Sequence, residues 1–242
     1  MLEFTGNPIE PQRDTWDWGE IRAIPLDLSD EKLVSVSYLP EKMVVIPQYF
    51  IQQLPGAKAD IFVRETIQQK LNDAADMLPY GYKLVIFDAW RDIDTQQALF
   101  DRMQSFVQRD HPEFNADQTL AATLRIVALP SSNANRPSPH NTGGSVDVSI
   151  VDERGRLLEM GSPFDDISAR AKTTYYEFEP DSETVVKIRE NRRLLYHVMT
   201  NAGFTNYLEE WWHYDYGNQN WAFMSGHDTA FYGATKPDFP WI

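Results

Sequence analysis

Two segments of the sequence combine histidine with carboxylate side chains at short spacing. In the first, SPHNTGGSVD, His140 ends a polar loop, two glycines follow, and Asp147 enters a short strand. Imidazole and carboxylate groups are both zinc ligands. The apolar residues Val146, Val148 and Ile150 would share one strand face and enter the core, which leaves Asp147 facing a cleft. Taken alone, the segment also fits a loop histidine and an aspartate on a solvated strand face.

The second segment is EWWHYD, in which Glu210 and His213 are three positions apart. A regular strand would place these two side chains on opposite faces. The aromatic residues favour a strand, so we expect a bend near Glu210, just before Trp211, that brings both side chains to one metal. Alone, the segment fits a structural strand that carries one histidine and an exposed glutamate better than it fits a metal site.

Together the two segments supply the side chains of a catalytic zinc site. Such sites use three protein ligands and leave a position for water. The metal lowers the pKa of that water, and a nearby carboxylate takes its proton as it attacks a carbonyl carbon. The two histidines, the aspartate and the spare glutamate match these requirements, and a chain without cysteine has no thiolate alternative.

Arg91 is a further candidate, because it follows a predicted buried strand in the segment DAWRD. At the end of that strand, its guanidinium could hydrogen-bond a developing oxyanion or a substrate carboxylate. The alternative is a salt bridge to Asp88, Asp92 or Asp94, with no role in chemistry.

The elements that must position these residues follow from hydrophobic periodicity and turn residues. Gly203 is expected at the C′ position of the last predicted helix. The predicted elements are helices over 59–78, 94–108, 117–128 and 187–202, strands over 82–88 and 146–152, a polar loop over 130–145, a turn at 153–156 that leads to Leu157 and Leu158, and an aromatic strand over 209–216. Helices and strands do not alternate regularly, which favours the α+β class. We expect one catalytic domain over 1–242, with its core at about 60–216 and terminal extensions packed on it.

Composition narrows the classes of partner. Hydrophobic residues make up 42% of the chain and charged residues 24%, which is ordinary for a globular domain. The net charge of −14 argues against nucleic acid as a partner. No apolar run is long enough to span a membrane, so we expect no membrane partner.

No signal peptide is visible, which predicts a cytoplasmic location, or a periplasmic one if a signal has been removed. The oligomeric state stays open.

The joint pattern SxHxxGxxxD and ExWH resembles the zinc D-alanyl-D-alanine peptidases. These enzymes share a fold with D,D-carboxypeptidases, phage endolysins and the hedgehog signalling domain, which implies a small central antiparallel sheet flanked by helices. Three details are most similar to the D-Ala-D-Ala dipeptidases of the vancomycin-resistance type. They are EWWH ending at His213, MGSxFD ending at Asp165, and DxxR ending at Arg91. The resemblance covers about residues 60–216.

The resemblance implies a role for each matching residue, and a small dipeptide as substrate. It implies one Zn²⁺ per chain held by His140, Asp147 and His213, with Glu210 as catalytic base, Arg91 stabilising the tetrahedral intermediate, Asp165 holding the substrate ammonium and Ser138 lining the substrate site.

The expected function is therefore zinc-dependent hydrolysis of D-Ala-D-Ala or a related dipeptide, a reaction of cell-wall peptides. One alternative is a D,D-carboxypeptidase or endopeptidase acting on peptidoglycan peptides. A second is a non-catalytic, metal-stabilised binding module, against which the retained Glu210 argues. Two positions depart from the family pattern: Asp92, which could pair with Arg91 and weaken its reach, and Ser145, where a small apolar residue is common.

Overall fold

The structure, a computed structural model, describes residues 4–11, 13, 15–124 and 127–238. Its helices are α1 (Trp18–Ala23), α2 (Gln48–Ile51), α3 (Glu65–Asp76), α4 (Ile93–Asp110), α5 (Ala116–Thr123), α6 (Glu183–Asn201) and α7 (Gln219–Ser225). Its strands are β1 (Leu33–Ser35), β2 (Met43–Val45), β3 (Phe62–Arg64), β4 (Lys83–Asp88), β5 (Ser145–Val151), β6 (Thr205–Asn206) and β7 (His213–Asp215). Short 3₁₀ helices lie at Pro139–Thr142, Ala169–Ala171 and Tyr175–Glu177.

The main sheet has five strands in the order β2-β4-β5-β7-β6, and β1 pairs with β3 in a separate two-stranded sheet. This architecture confirms the α+β class. The pairs β4–β5, β5–β7 and β6–β7 are antiparallel as expected, whereas β2 and β4 run parallel. The antiparallel expectation is wrong at this edge because the chain passes through α2, β3 and α3 between the two strands. Such a crossover returns it in the same direction.

Two helices and the sheet share the largest hydrophobic core. Ile67 and Leu71 of α3 and Leu194 and Val198 of α6 are at most 2% exposed and belong to one cluster with the sheet residues. The apolar face predicted for β5 is confirmed, because its valines and Ile150 are fully buried in that cluster. The sheet is thereby anchored by apolar burial, which gives the polar residues at its strand ends a rigid support.

Three predicted elements differ in extent from the observed ones. The helix expected over 59–78 begins only at Glu65, because residues 62–64 form β3 and pair with β1. The helix expected over 117–128 covers Ala116–Thr123, and residues 125–126 lie outside the described part of the chain. The aromatic strand expected over 209–216 is limited to His213–Asp215, because a turn precedes it. The hairpin that returns to Leu157 is confirmed by its bridge to Val151.

Candidate metal centre and substrate cleft

Three neighbouring strands bring site residues side by side. The register pairs Asp88 at the end of β4 with Asp147 of β5, and Asp147 with His213 of β7. The β4–β5 pairing shifts register between Ile86 and Asp88, an irregularity of the kind found near active sites, where it re-aims a side chain. The sheet therefore sets the relative positions of three polar side chains through backbone pairing alone.

His140 reaches the same place from the 3₁₀ helix Pro139–Thr142. The backbone N–H of Arg91 donates to the His140 carbonyl oxygen at 3.2 Å, which fixes this helix against the end of β4. Gly143 then takes φ +69°, a left-handed conformation that favours glycine. At Gly144 an added Cβ would lie 2.6 Å from the carbonyl oxygen of Tyr216, so the close approach of two backbones requires glycine there. The predicted tight turn is confirmed, and each glycine has its own steric reason.

The donor atoms of His140, Asp147 and His213 converge, with all of them within 4.8 Å of one another. His140 Nε2 lies 3.1 Å from His213 Nδ1, which lies 3.1 Å from Asp147 Oδ1. Each imidazole has an acceptor at its other nitrogen: the Ala89 carbonyl oxygen at 2.7 Å from His140 Nδ1, and Asp215 Oδ2 at 3.1 Å from His213 Nε2. These acceptors hold the N–H away from the cluster and leave the converging nitrogens free to bind a metal.

The charges around the cluster also suit a divalent cation. Burial by itself would raise the pKa of Asp147, but the two imidazoles outweigh it and hold that pKa well below its ordinary value. Burial would lower the pKa of His213, but the carboxylates of Asp215 and Asp147 keep it well above its ordinary value. Without a metal, a proton on His213 compensates part of this buried negative charge. A bound cation would take over that role, so the donor set fits a metal such as zinc.

Asp215 is a positioning residue that sequence reasoning missed. It is 1% exposed, and besides His213 it accepts hydrogen bonds from Ser145 Oγ at 2.6 Å, Asn218 Nδ2 at 2.7 Å and Asn220 Nδ2 at 3.1 Å. Ser145, which departs from the family pattern, therefore lies behind the histidine and helps to orient Asp215. Ser145 is not among the residues that line the cavity beside the cluster.

Glu210 and His213 meet across the expected bend. The His213 N–H donates to the Glu210 carbonyl oxygen at 3.3 Å, which closes a turn over residues 210–213. Asn206 Nδ2 donates to the carbonyl oxygens of both residues, and Thr173 Oγ1 donates to Asn206 Oδ1 at 2.6 Å. Glu210 Oε2 consequently lies 3.9 Å from His213 Nδ1. The turn interrupts strand alternation, which is why Trp212 and His213 both line the central cavity.

Glu210 is the protonatable group placed beside the donor cluster. Burial raises its pKa to about 8, an effect that the nearby His213 partly opposes. A carboxyl group whose pKa lies near neutrality is suited both to accept a proton and to give one back.

Arg91 lies at the end of β4 and points into the same cavity. Its Nη2 lies 2.8 Å from Asp88 Oδ2 and 3.7 Å from Asp147 Oδ2, and its Nη1 donates to Gln96 Oε1 at 2.8 Å. The suspected pairing with Asp92 is wrong, because Asp92 instead caps α4 by accepting from the backbone N–H of Asp94. Arg91 therefore forms a salt bridge, as the alternative interpretation expected, and its partner is Asp88. It also lines the cavity.

Asp165 lines the same cavity as the donor cluster. Its φ is +62°, a conformation unusual for a residue with a side chain, and Tyr49 Oη donates to its Oδ1 at 3.1 Å. Burial, with a further contribution from the charge of Asp147, raises the pKa of Asp165 to about 7. Tyr49 also contacts Arg91, 3.3 Å from Nη2, and sequence reasoning missed it because it lies outside the motif-bearing region.

These side chains line one central cavity of about 70 Å³. Its polar lining residues are Tyr49, Arg91, Gln96, His140, Asp147, Asp165, Tyr207, Glu210, His213 and Asn220. Ser138 is not among them. Ser138 is buried in the wall of an adjoining cavity of about 210 Å³, and its Oγ has no hydrogen-bond partner within the described residues.

Comparison with known proteins assigns the chain to a family. The family model described as D-Ala-D-Ala dipeptidase matches residues 48–235. This chain belongs to the D-Ala-D-Ala dipeptidase family. Within the family, it is 33% identical over 179 residues to the D-alanyl-D-alanine dipeptidase of Synechocystis, a match over 67% of this chain and 72% of the relative.

Two further comparisons are more distant. The D-alanyl-D-alanine dipeptidase of Escherichia coli is 28% identical to this chain, over 56% of this chain and 55% of its own length. A crystal structure of a mutant vancomycin-resistance D,D-pentapeptidase VanY in complex with Zn(II) aligns with a TM-score of 0.38 and 16% identity, over 73% of this chain and 85% of that one. In the described residues, no helix is long and apolar enough to cross a membrane.

Proposed function

We propose that this chain is a zinc-dependent D-alanyl-D-alanine dipeptidase that binds one Zn²⁺ through His140, Asp147 and His213. The observation that carries the proposal is the convergence of these three donors beside Glu210 in one cavity. Two further observations support it, namely membership of the D-Ala-D-Ala dipeptidase family and the acceptors that orient both imidazoles.

The chemistry divides among the residues of the cavity. A bound zinc ion would supply Lewis-acid activation of water and of the scissile carbonyl group. Glu210 would accept the proton of the attacking water and later pass it to the leaving amine, and its raised pKa suits both transfers. Arg91 would donate hydrogen bonds to the oxyanion of the tetrahedral intermediate, because its guanidinium is buried and held in place by Asp88 and Gln96.

Specificity for short substrates would come from Asp165. Its carboxyl group is buried in the cavity wall and hydrogen-bonded to Tyr49, where it would hold the free ammonium of the first residue. A buried charged group that is left unpaired by the wrong substrate is costly, so an acylated amino terminus would be rejected. This requirement separates a dipeptidase from a carboxypeptidase or endopeptidase, whose substrates continue beyond that position.

The test is to incubate zinc-loaded protein with D-Ala-D-Ala, its N-acetyl derivative and a longer cell-wall peptide that ends in D-Ala-D-Ala. We expect release of free D-Ala from the dipeptide alone. Cleavage of only the longer peptide would refute the dipeptidase and favour the carboxypeptidase or endopeptidase alternative.

The matched control for this assay is Glu210→Gln, which keeps the size of the side chain and removes the base. We expect zinc to be retained and hydrolysis to fall by about 10²- to 10⁴-fold. Unchanged hydrolysis would remove Glu210 from its role. Zinc binding without hydrolysis in the unmodified protein would favour the binding-module alternative.

A further inference from the structure

The substrate cleft continues beyond the central cavity into the adjoining cavity of about 210 Å³. This second cavity lies between α1 and the loop that leads to His140. Both cavities are lined by Trp18, Ala128, Pro139 and Asn220, so they meet at these residues. A molecule held at the donor cluster can therefore extend towards the second cavity.

The charged residues that line this second cavity are both basic. They are Arg22 of α1 and Arg136 of the loop, and no carboxylate is among its described lining residues. A third cavity, of about 330 Å³, meets the central one at other residues, among them Asp165, and is lined by Asp166 and Glu209 next to Lys172. In a chain of net charge −14, the cleft thus has an acidic end and a basic end.

The groups in the basic pocket are available to a ligand. Arg22 and Arg136 are exposed and form no ion pair with any described residue. The guanidinium of Arg22 lies 5.6 Å from the ring of Trp18, at the junction of the two cavities. Ser138 is only 4% exposed, and its Oγ has no hydrogen-bond partner among the described residues. A buried hydroxyl group without a partner is costly, and a ligand can relieve that cost.

We propose that this basic pocket binds the free terminal carboxylate of the substrate residue on the leaving side of the scissile bond. The proposal rests on the function proposed above, in which Asp165 holds the ammonium at the other end. A dipeptide is zwitterionic, so an anionic anchor at Asp165 and a cationic anchor in the basic pocket would fix its direction. Guanidinium groups suit this task because their forked donors match the two oxygens of a carboxylate.

The pocket depends on an element outside the region that the family model matches. That region begins at residue 48, whereas Trp18 and Arg22 belong to α1. The helix is held in place by Ile21, which packs on Phe223 and Met224 of α7. α1 therefore adds Trp18 and Arg22 to a pocket whose other basic residue, Arg136, lies within the matched region.

Binding to a zinc-loaded Glu210→Gln protein tests the proposal without turnover. Calorimetric titration compares D-Ala-D-Ala with its C-terminal amide, which lacks the carboxylate. We expect the free acid to bind at least about tenfold more tightly, because the amide cannot form charge-assisted hydrogen bonds with the arginines. Adding the double substitution Arg22→Ala and Arg136→Ala should weaken binding of the acid by about tenfold or more and leave the amide unaffected.

The controls separate this proposal from others. Arg154→Ala removes an exposed arginine in the hairpin after β5, far from the pocket lining, and should preserve the preference for the acid. An unchanged preference for the acid over the amide in the variant with both Arg22→Ala and Arg136→Ala would overturn the proposal. Hydrolysis of the dipeptide without any acid preference would overturn it and leave the proposed function standing. An arginine-dependent acid preference confined to a longer peptide would support the pocket and refute the dipeptidase.

Discussion

Replacing Asp215 with asparagine should weaken zinc binding although Asp215 is not one of the three proposed ligands. Oδ2 of Asp215 accepts from His213 Nε2 and Asn220 Nδ2, and Oδ1 accepts from Ser145 Oγ and Asn218 Nδ2. An asparagine must place its NH₂ group at one of these two positions. If the NH₂ group faces Asn218, it meets another donor. If it faces His213, it forces the imidazole proton to Nδ1, the atom proposed to bind zinc. Neither orientation satisfies the network.

The size of the effect follows from the role of such acceptors. Losing a hydrogen-bond acceptor behind a metal-binding histidine typically costs 10- to 100-fold in metal affinity, which corresponds to about 1.4–2.7 kcal/mol. The burial of Asp215, at 1% exposure, favours the upper part of that range because water cannot replace the lost acceptor. Competition with a chromophoric chelator measures the zinc affinity directly.

The control is Asp152→Asn, which alters a carboxylate in the hairpin after β5, away from the metal donors. It should leave zinc affinity unchanged. Thermal unfolding of both metal-free variants separates a general loss of stability from a local effect on His213. A zinc affinity for Asp215→Asn within about threefold of the unmodified protein would refute the reasoning.

Three further substitutions have definite expected outcomes. Gly144→Ala would press a Cβ against the carbonyl oxygen of Tyr216, so we expect a lower melting temperature, a loss of about 1–3 kcal/mol, and weaker zinc binding. Asn206→Ala releases the turn that carries Glu210, the proposed base, so kcat should fall by about 10- to 100-fold with little change in zinc affinity. Arg156 holds the pKa of Asp152 at about 2, so Asp152→Asn should lower the free energy of unfolding at pH 7, with the deficit disappearing between about pH 4 and pH 2.

Each of these predictions has an outcome that contradicts it. Gly6→Ala is the steric control for Gly144→Ala, because its added Cβ meets no atom within 4 Å, so equal loss of zinc affinity in both would argue against the clash. For Asn206→Ala, an unchanged kcat would show that the turn needs no side-chain support. For Asp152→Asn, a stability deficit that persists at pH 2 in chemical denaturation would contradict the assigned pKa.

The metal donors could be predicted from the sequence because their spacing is short and local. His140 and Asp147 are joined by one glycine turn, and Glu210 and His213 by one tight turn, so each pair carries its geometry in a few residues. The bend before Trp211 was predictable for the same reason, since a straight strand could not aim both side chains at one metal.

The supporting residues could not be predicted, because their contacts form only when distant segments pack together. Tyr49 meets Asp165 across 116 positions of the chain, and Ser145 meets Asp215 across 70. An asparagine such as Asn206 has no pattern that marks it as the support of a turn. Strand β3 was missed because its apolar residues also fit the helical pattern that continues into α3, and only pairing with β1 decides between the two.

The chemistry of this chain rests on the paired strands of a buried sheet, whereas much of the cleft wall comes from segments outside it. Trp18 and Arg22 lie on a short helix, Arg136 lies on a loop, and Asp165 follows a stretch without regular structure. Exposed segments of this kind accept substitution and insertion at little cost in stability, while the sheet does not. Substrate range can therefore diverge, by evolution or in the laboratory, through residues whose replacement leaves the hydrolytic centre intact.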